Sequence, residues 1–426
     1  MKEYIEMSTA RVKSLTKSYV LNNNSSSSLS PDQIIPRPTL ITQYLHYLIQ
    51  VGIGTFAYQY PTDTTYHLVL DTGSDLTWIQ CEGCYPNCFQ QSDPYFPSYR
   101  SSTYRPFHSS NCPQGAQGDQ YNGCRMEIRY TEGSKVSAIM ATEVFTFISD
   151  SGAIQPFPNV IFGCGIDMQN FGYGTMLSNE DNNAISGIMG MGYGNYGLME
   201  QAQMLSGKFS YCLQSVWVFD HQSPMYLRFG NDVLPHPLVR METTPLYRNP
   251  RIPSSYYINL QGMSLNGEML RISPSVFARK RDGTGGCVID SGTAISWITS
   301  KAYQIFTKAV RKFIKKNINN LQPMRNPELG YEFCWLRTNN NLYDLPEITF
   351  HFENNARFVL DEQAAFFVGL SHDDHDMVCL PFFESNSHEN SDITFLGVFQ
   401  QINHRIIYDP RNSVLQFGPT DCTRRN

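Results

Sequence analysis

The sequence predicts an all-β protein of two lobes related by a pseudo-twofold, and three observations carry that expectation. A nine-residue stretch, Asp71-Thr72-Gly73-Ser74-Asp75-Leu76-Thr77-Trp78-Ile79, returns as Asp290-Ser291-Gly292-Thr293-Ala294-Ile295-Ser296-Trp297-Ile298, with Asp, Gly, Trp and Ile unchanged. The other positions keep hydroxyl or aliphatic character, except where Asp75 meets Ala294. A second pair of matching pieces, Ile188-Met189-Gly190 and Phe395-Leu396-Gly397, follows its acid at a comparable interval in each half. From Tyr44 onward, short apolar and aromatic runs alternate with Gly, Pro, Asn and Ser, the pattern of many strands separated by turns.

Three segments follow in chain order: 1–43, a first lobe over 44–235 and a second over 236–426. Met7 to Tyr19 is basic and helix-compatible, and Asn22 to Ser30 is a low-complexity Asn/Ser tract before prolines 31, 36 and 38, which reads as a linker. Tyr47 to Thr55 reads as the first strand and turn of the first lobe. The apolar runs His67-Leu68-Val69-Leu70 and Cys287-Val288-Ile289 read as buried strands, each delivering an acid to a glycine turn. Tyr130-Thr131-Glu132-Gly133-Ser134 before Val144 to Ile148 reads as a hairpin with glycine at its tip. The lobe boundary near residue 235 falls where Met225 to Gly230 gives way to a proline-spaced stretch. Lys301 to Ile318 has the spacing of a surface helix with one core-facing stripe.

The two acids carry the chemistry. If the lobes pack about their pseudo-twofold, Asp71 and Asp290 meet within hydrogen-bonding distance, and like charges that close cannot both ionise easily. One carboxyl then keeps its proton in mild acid, giving a base that takes a proton from water and an acid that hydrogen-bonds the carbonyl under attack. Gly73 and Gly292 let backbone N–H groups approach the carboxylates, and the hydroxyls of Thr72, Ser74, Ser291 and Thr293 can hold and orient them. No cofactor and no metal is called for.

At these residues the chain resembles the pepsin-type aspartic proteases, and its cysteine-rich N-terminal half is more similar to the plant nepenthesin group. The resemblance implies a bilobal pepsin-like fold and an endopeptidase that hydrolyses extended polypeptides in acid. It implies that 1–43 is a removable propeptide, a zymogen device, expected to restrain activity until acid releases it. It makes Tyr130 a flap residue closing over the substrate, with Trp78 as its hydrogen-bond partner, although the family's Tyr-Gly-Asp-Gly-Ser is Tyr-Thr-Glu-Gly-Ser here. The two hydrophobic-hydrophobic-Gly pieces become buttresses behind the acid loops. It also implies disulfides Cys81–Cys84, Cys88–Cys164, Cys112–Cys124, Cys212–Cys422 and Cys334–Cys379. That leaves Cys287 a free, buried thiol, and the 112–124 loop lacks the family's inner bridge.

Composition bounds the rest. Hydrophobic content of 41% against 16% charged residues fits a folded chain. A net charge of −6 lacks the clear basic excess that a nucleic-acid partner would want, so none is expected. Eleven cysteines indicate an oxidising compartment, hence a secreted protein, extracellular or vacuolar. Met1 to Val20 has no apolar core, so the expectation is that the leader is missing from this sequence. No run is long enough for a membrane span. A monomer with polypeptide substrates is expected.

Other signals are weaker. Cys81-Glu-Gly-Cys84 has zinc-site spacing, but no second pair follows it. Gly192-Tyr-Gly194-Asn-Tyr-Gly197 matches a nucleotide-loop pattern without the alternating strands and helices that such a site requires. His372-Asp373-Asp374-His375-Asp376 could chelate a metal but reads as a solvated loop. The only N-glycosylation sequons begin at Asn23 and Asn24. The rival functional class is a non-catalytic inhibitor or storage protein on the same fold. A structural cell-wall role has neither repeat nor anchor to support it.

Overall fold

Each of the two acids sits at the end of a strand buried on both faces, which is why the runs before them are apolar rather than alternating. A computed structural model describes residues 36–43, 45–57, 65–130, 133–149, 152–171, 183–201, 207–216, 224–233, 240–318, 321–324, 331–337, 345–370, 376–385 and 392–423. The basic stretch, the Asn/Ser tract, both sequons, His372 to His375, Thr131 and Glu132 of the hairpin, and the boundary near 235 lie outside the described residues. The chain divides into two compact units, 1–209 with 224–233, and 210–223 with 234–426.

The first unit is built on one large sheet. Its strands lie in the spatial order Met225–Tyr226, Thr39–Gln43, His46–Ile53, Thr65–Asp71, Ile185–Gly190, Trp78–Gln80, Ile154–Gln169, Lys135–Ile148, Cys124–Arg129 and Gln117–Gly118. Lys135–Ile148 alternates buried and half-buried positions over most of its length, as a strand with one solvated face must. Its register against Ile154–Gln169 shifts between Ser137 and Ala138 and again between Glu143 and Phe145.

In the second unit the acid strand belongs to a five-stranded sheet in the order Tyr256–Ile258, Gly286–Ile289, Ile393–Leu396, Ser296–Thr299, Phe382–Ser385. The helix Ser300–Asn317 buries Ala302, Tyr303, Phe306, Thr307, Val310 and Ile314, a single stripe at three- and four-residue spacing. Lys315 and Lys316 occupy its last turn, where cations suit the helix dipole.

Both units repeat one local topology. In the first, Thr65–Asp71 runs parallel to Ile185–Gly190 with Asp71 opposite Gly190, and Ile185–Gly190 runs antiparallel to Trp78–Gln80. In the second, Gly286–Ile289 runs parallel to Ile393–Leu396 with Ile289 opposite Leu396, and Trp297 pairs antiparallel with Phe395. The strand that leaves each acid loop then takes a parallel neighbour, Trp78 beside Gly163 and Trp297 beside Phe383.

The first two expected disulfides are corrected. The bridges are Cys81–Cys164 and Cys84–Cys88, in place of Cys81–Cys84 and Cys88–Cys164. Strand register explains the change. Ile79 is already level with Cys164, and Cys81 N donates to the Gly165 carbonyl at 3.0 Å, so the two sulfurs are neighbours before any bond forms. Cys84 and Cys88 then close a short loop between themselves. The other bridges are Cys112–Cys124, Cys212–Cys422 and Cys334–Cys379. Within the 112–124 loop, Asp119 Oδ1 accepts from Tyr121 N at 2.9 Å and Gly123 N at 2.8 Å around a left-handed Asn122, and this turn gathers the chain where an inner bridge is missing.

Candidate active site

The two acid loops have nearly the same internal geometry. Asp71 Oδ1 accepts from Gly73 N at 2.8 Å, and Asp290 Oδ1 accepts from Gly292 N at 2.8 Å. Asp71 Oδ2 accepts from the Ser74 hydroxyl, and Asp290 Oδ2 from the Thr293 hydroxyl at 2.6 Å. Each carboxyl is thus bonded on both oxygens within its own turn, which fixes the plane of the group. Both acids are buried while keeping a sliver of exposure, and Thr72 and Ser291 beside them are fully enclosed.

The buttress glycines are explained by what a side chain would meet. A Cβ on Gly190 would stand 2.3 Å from the Asp75 carbonyl oxygen, and one on Gly397 would stand 2.5 Å from the Ile295 carbonyl carbon. The backbone of the buttress therefore passes against the acid loop itself. Hydrogen bonds tie the two together: Gly190 N to Thr77 Oγ1 at 3.1 Å, and Gly397 N to Ser296 Oγ at 2.9 Å. Met191 N donates to the Asp71 carbonyl at 2.8 Å, and Asp290 N donates to the Leu396 carbonyl at 3.1 Å.

Several supporting residues were not visible in the sequence. In the second unit Gln401 Nε2 donates to the carbonyls of Asp290 at 3.1 Å and Leu396 at 2.7 Å. Its own Oε1 accepts from Tyr211 Oη at 2.5 Å, and that phenol meets Tyr408 Oη at 2.9 Å. Burial, the paired Tyr408 and then Asp290 hold the Tyr211 phenol well above its ordinary pKa, so it remains a neutral donor. Gln400 Oε1 accepts from Ser296 N at 2.9 Å, gripping the strand after the loop. Two adjacent glutamines closing the short helical turn after a buried strand were the available signal, because a buried amide needs partners on both its atoms.

On the first unit, Trp78 Nε1 donates to Tyr130 Oη at 2.6 Å. Phe171 packs edge-on against Trp78 at 5.3 Å and against Tyr130 at 6.0 Å, with Phe89 beside it at 6.0 Å. Asn170 Nδ2 reaches the Gly133 carbonyl at the hairpin tip at 3.2 Å. Trp78 is consequently 0% exposed, whereas Trp297, its counterpart, is 41% exposed. Strand register sets Tyr257, Val288, Phe395, Trp297 and Phe383 in one row across the second sheet, and the Trp297 and Phe383 rings lie 5.1 Å apart.

Cys287 is free and buried, and burial pushes its thiol far above the ordinary range, which leaves it inert. Among the described residues no group of three or more His, Cys, Asp or Glu side chains is set to hold a metal ion. Among them, too, no helix is long and apolar enough to cross a membrane.

A carboxylate on a glycine turn, backed by a glycine-ended strand and built twice, defines the pepsin-like class. Profiles described as xylanase inhibitor N-terminal and xylanase inhibitor C-terminal match residues 47–231 and 255–419. The chain is 33% identical over 380 residues to aspartic proteinase nepenthesin-2 of Nepenthes gracilis, covering 88% of this chain and 78% of that protein. Among solved structures it is similar to edgp, with a TM-score of 0.69, 20% identity and coverage of 94% and 99% of the two chains. It is also similar to basic 7S globulin from soybean, with a TM-score of 0.64, 15% identity and coverage of 90% and 97%. The chain belongs to the plant pepsin-like aspartic protease group that includes the nepenthesins.

Proposed function

We propose that the protein is an aspartic endopeptidase that hydrolyses extended polypeptides in acid, with Asp71 and Asp290 as the catalytic pair. The observation that carries this reading is the matched dressing of the two carboxyls: a glycine N–H on one oxygen and a hydroxyl on the other, in both units. A defunct copy would have no reason to keep all four contacts.

In this reading the two carboxyls share one proton and hold a water between them. The ionised member takes a proton from the water as its oxygen attacks the peptide carbonyl carbon, and the neutral member donates its proton to the carbonyl oxygen. A tetrahedral diol forms. As it collapses, one diol hydroxyl returns its proton to the carboxylate that had given one up and re-forms C=O, the C–N bond breaks, and the proton taken from the water goes to the departing nitrogen. No electron leaves the system, and the acid pair returns to its one-proton state. Tyr130 covers the substrate, and the peptide lies extended, held through its backbone as an added strand would be. The half-open row around Trp297 would seat an apolar side chain of that peptide. Trp297→Ala is expected to raise KM by roughly a factor of ten for peptides bearing an aromatic residue there. KM for an otherwise identical peptide with alanine should barely move, and equal changes for both would remove Trp297 from specificity.

Five disulfides fit an oxidising compartment, so the protein is proposed to be secreted, extracellular or vacuolar, and monomeric. Residues 1–43 are proposed as its propeptide, which would make the protein a zymogen. The second reading is a non-catalytic inhibitor or storage protein. It is favoured by the xylanase-inhibitor profiles and by the likeness to a seed globulin. Incubation of the acid-treated chain with an unstructured polypeptide and, separately, with a xylanase distinguishes the two. Cleavage of the polypeptide supports the peptidase, and xylanase inhibition without any cleavage supports the alternative.

A further inference from the structure

The two nine-residue copies differ in kind at one position, Asp75 against Ala294, and the chemistry above makes no use of the extra carboxyl. Its surroundings give it a use. The Asp75 side chain is largely withdrawn from water and accepts from the backbone N–H of Tyr196, with those of Leu76 and Asp75 itself also turned to it. It is therefore seated in the loop Gly192 to Gly197, whose glycine spacing imitates a phosphate-binding turn. A Cβ on Gly194 would stand 2.1 Å from Asp75 Oδ2, so the room a side chain would need is filled by the carboxyl. The group seated in this glycine-rich loop is the protein's own carboxyl.

The same loop holds the catalytic turn by its backbone. Met191 N donates to the Asp71 carbonyl and Gly192 N to the Ser74 carbonyl, both at 2.8 Å. Its far end is anchored where Tyr196 Oη donates to the Gln114 carbonyl at 2.6 Å and the ring packs with Leu76, Cys124 and Met140. Asp75 thus joins a fixed loop to the residue next to Ser74, whose hydroxyl holds Asp71 Oδ2. Ala294 has no such arm; in the second unit Val398 N and Phe399 N donate to the Thr293 and Ala294 carbonyls at 2.8 and 3.0 Å, and Gln401 Nε2 to that of Asp290.

We propose that Asp75 is a positioning residue for Asp71, its carboxyl fastening the catalytic turn to the Gly192–Gly197 loop. The proposal rests on reading Asp71 as catalytic, but the clamp can be tested without it.

Its pH behaviour has a definite sign. Burial raises the Asp75 pKa above the ordinary carboxylate value, partly offset by the backbone N–H donors. The titratable group facing it, Tyr196, is raised by burial and by the Asp75 charge, and so stays neutral through acid. A raised carboxyl favours the fold in its neutral form, and that contribution is present in acid and lost as pH rises through the folded pKa. Asp75→Asn is neutral at every pH and should gain in unfolding midpoint relative to wild type as pH increases.

Asp75→Ala is expected to lower kcat on a peptide by roughly tenfold or more while KM changes little, because the reacting group and not the substrate is displaced. Asp75→Asn keeps the shape and an acceptor for Tyr196 N, and should recover most of that loss. Gly194→Ala leaves Asp75 in the chain but takes its space, and should reproduce the loss. In an Asp75→Ala background the same glycine change should cost far less, since only the Cβ at position 75, 3.2 Å away, is left to meet it. The non-additivity should appear in unfolding midpoints as well as in kcat. Wild-type kcat in Asp75→Ala, or effects of the two changes that add in full, would overturn the clamp. If Asp75→Ala does not fold, the cycle is run with Asp75→Ser, whose smaller hydroxyl can turn away from the space at Gly194. A wild-type chain that cleaves nothing while midpoints remain non-additive keeps the clamp and defeats the peptidase reading. Additive midpoints in an active enzyme defeat the clamp alone.

Discussion

Asp290→Asn is expected to fold, to bind an extended peptide and to hydrolyse it about a hundred- to ten-thousand-fold more slowly than wild type, the usual worth of positioned acid-base catalysis. The amide has nearly the shape of the carboxyl. Its oxygen can still accept from Gly292 N, and the Thr293 hydroxyl, which now donates to Oδ2, can turn to accept from the new NH2. Structure is therefore largely preserved, while the group can no longer take up or release a proton. Asp71→Asn should behave the same way, because Gly73 N and the Ser74 hydroxyl make the corresponding contacts. Near-ultraviolet circular dichroism establishes that each variant is folded, and single-turnover cleavage gives the rate. A folded Asp290→Asn that retained most of its peptidase activity would remove that acid from the reaction.

Gly397→Ala and Gly190→Ala should be the most damaging single-methyl changes to the site. The added carbon would lie 2.8 Å from Ser296 N in one case and 2.4 Å from the Asp75 carbonyl carbon in the other. Both obstacles are backbone, so no rotamer relieves them and the acid loop itself has to move. Overpacking of this kind costs about 1–3 kcal/mol, and a turn that shifts carries its carboxylate out of line. Loss of kcat should therefore exceed what the fall in stability explains. Denaturant titration and kinetics on the two variants check this, and wild-type values in both would mean that the buttress does not set the acid's position.

What the sequence revealed and what it hid differ in physical kind. Asp71 and Asp290, their glycines and hydroxyls, and the buttress triplets were legible because each is a local requirement: a turn that admits an N–H, or a strand that admits no side chain. The helix Ser300–Asn317 was legible because one buried stripe leaves a periodic trace. The pairing of Cys81 with Cys164 was not, since it depends on which strand lies beside Trp78–Gln80, a contact made across 83 residues of chain. Gln401 and Tyr211 were hidden for the same reason: each supports Asp290 from far along the sequence. The Gly192–Gly197 spacing was rightly set aside as a nucleotide loop, but that Gly194 faces the Asp75 carboxyl was hidden, because the two lie far apart in sequence.

If two carboxyls sharing one proton activate a water, the pH dependence of hydrolysis tests it most directly. The purified, acid-treated chain is given an unstructured polypeptide from strong acid to mild alkali, with and without a metal chelator. Activity should be highest in acid and fall as the pair loses its shared proton, with apparent pKa values that belong to the pair and not to either residue. The chelator should change nothing at any pH. An alkaline optimum, activity abolished by the chelator, or no cleavage anywhere in the acid range would contradict the account.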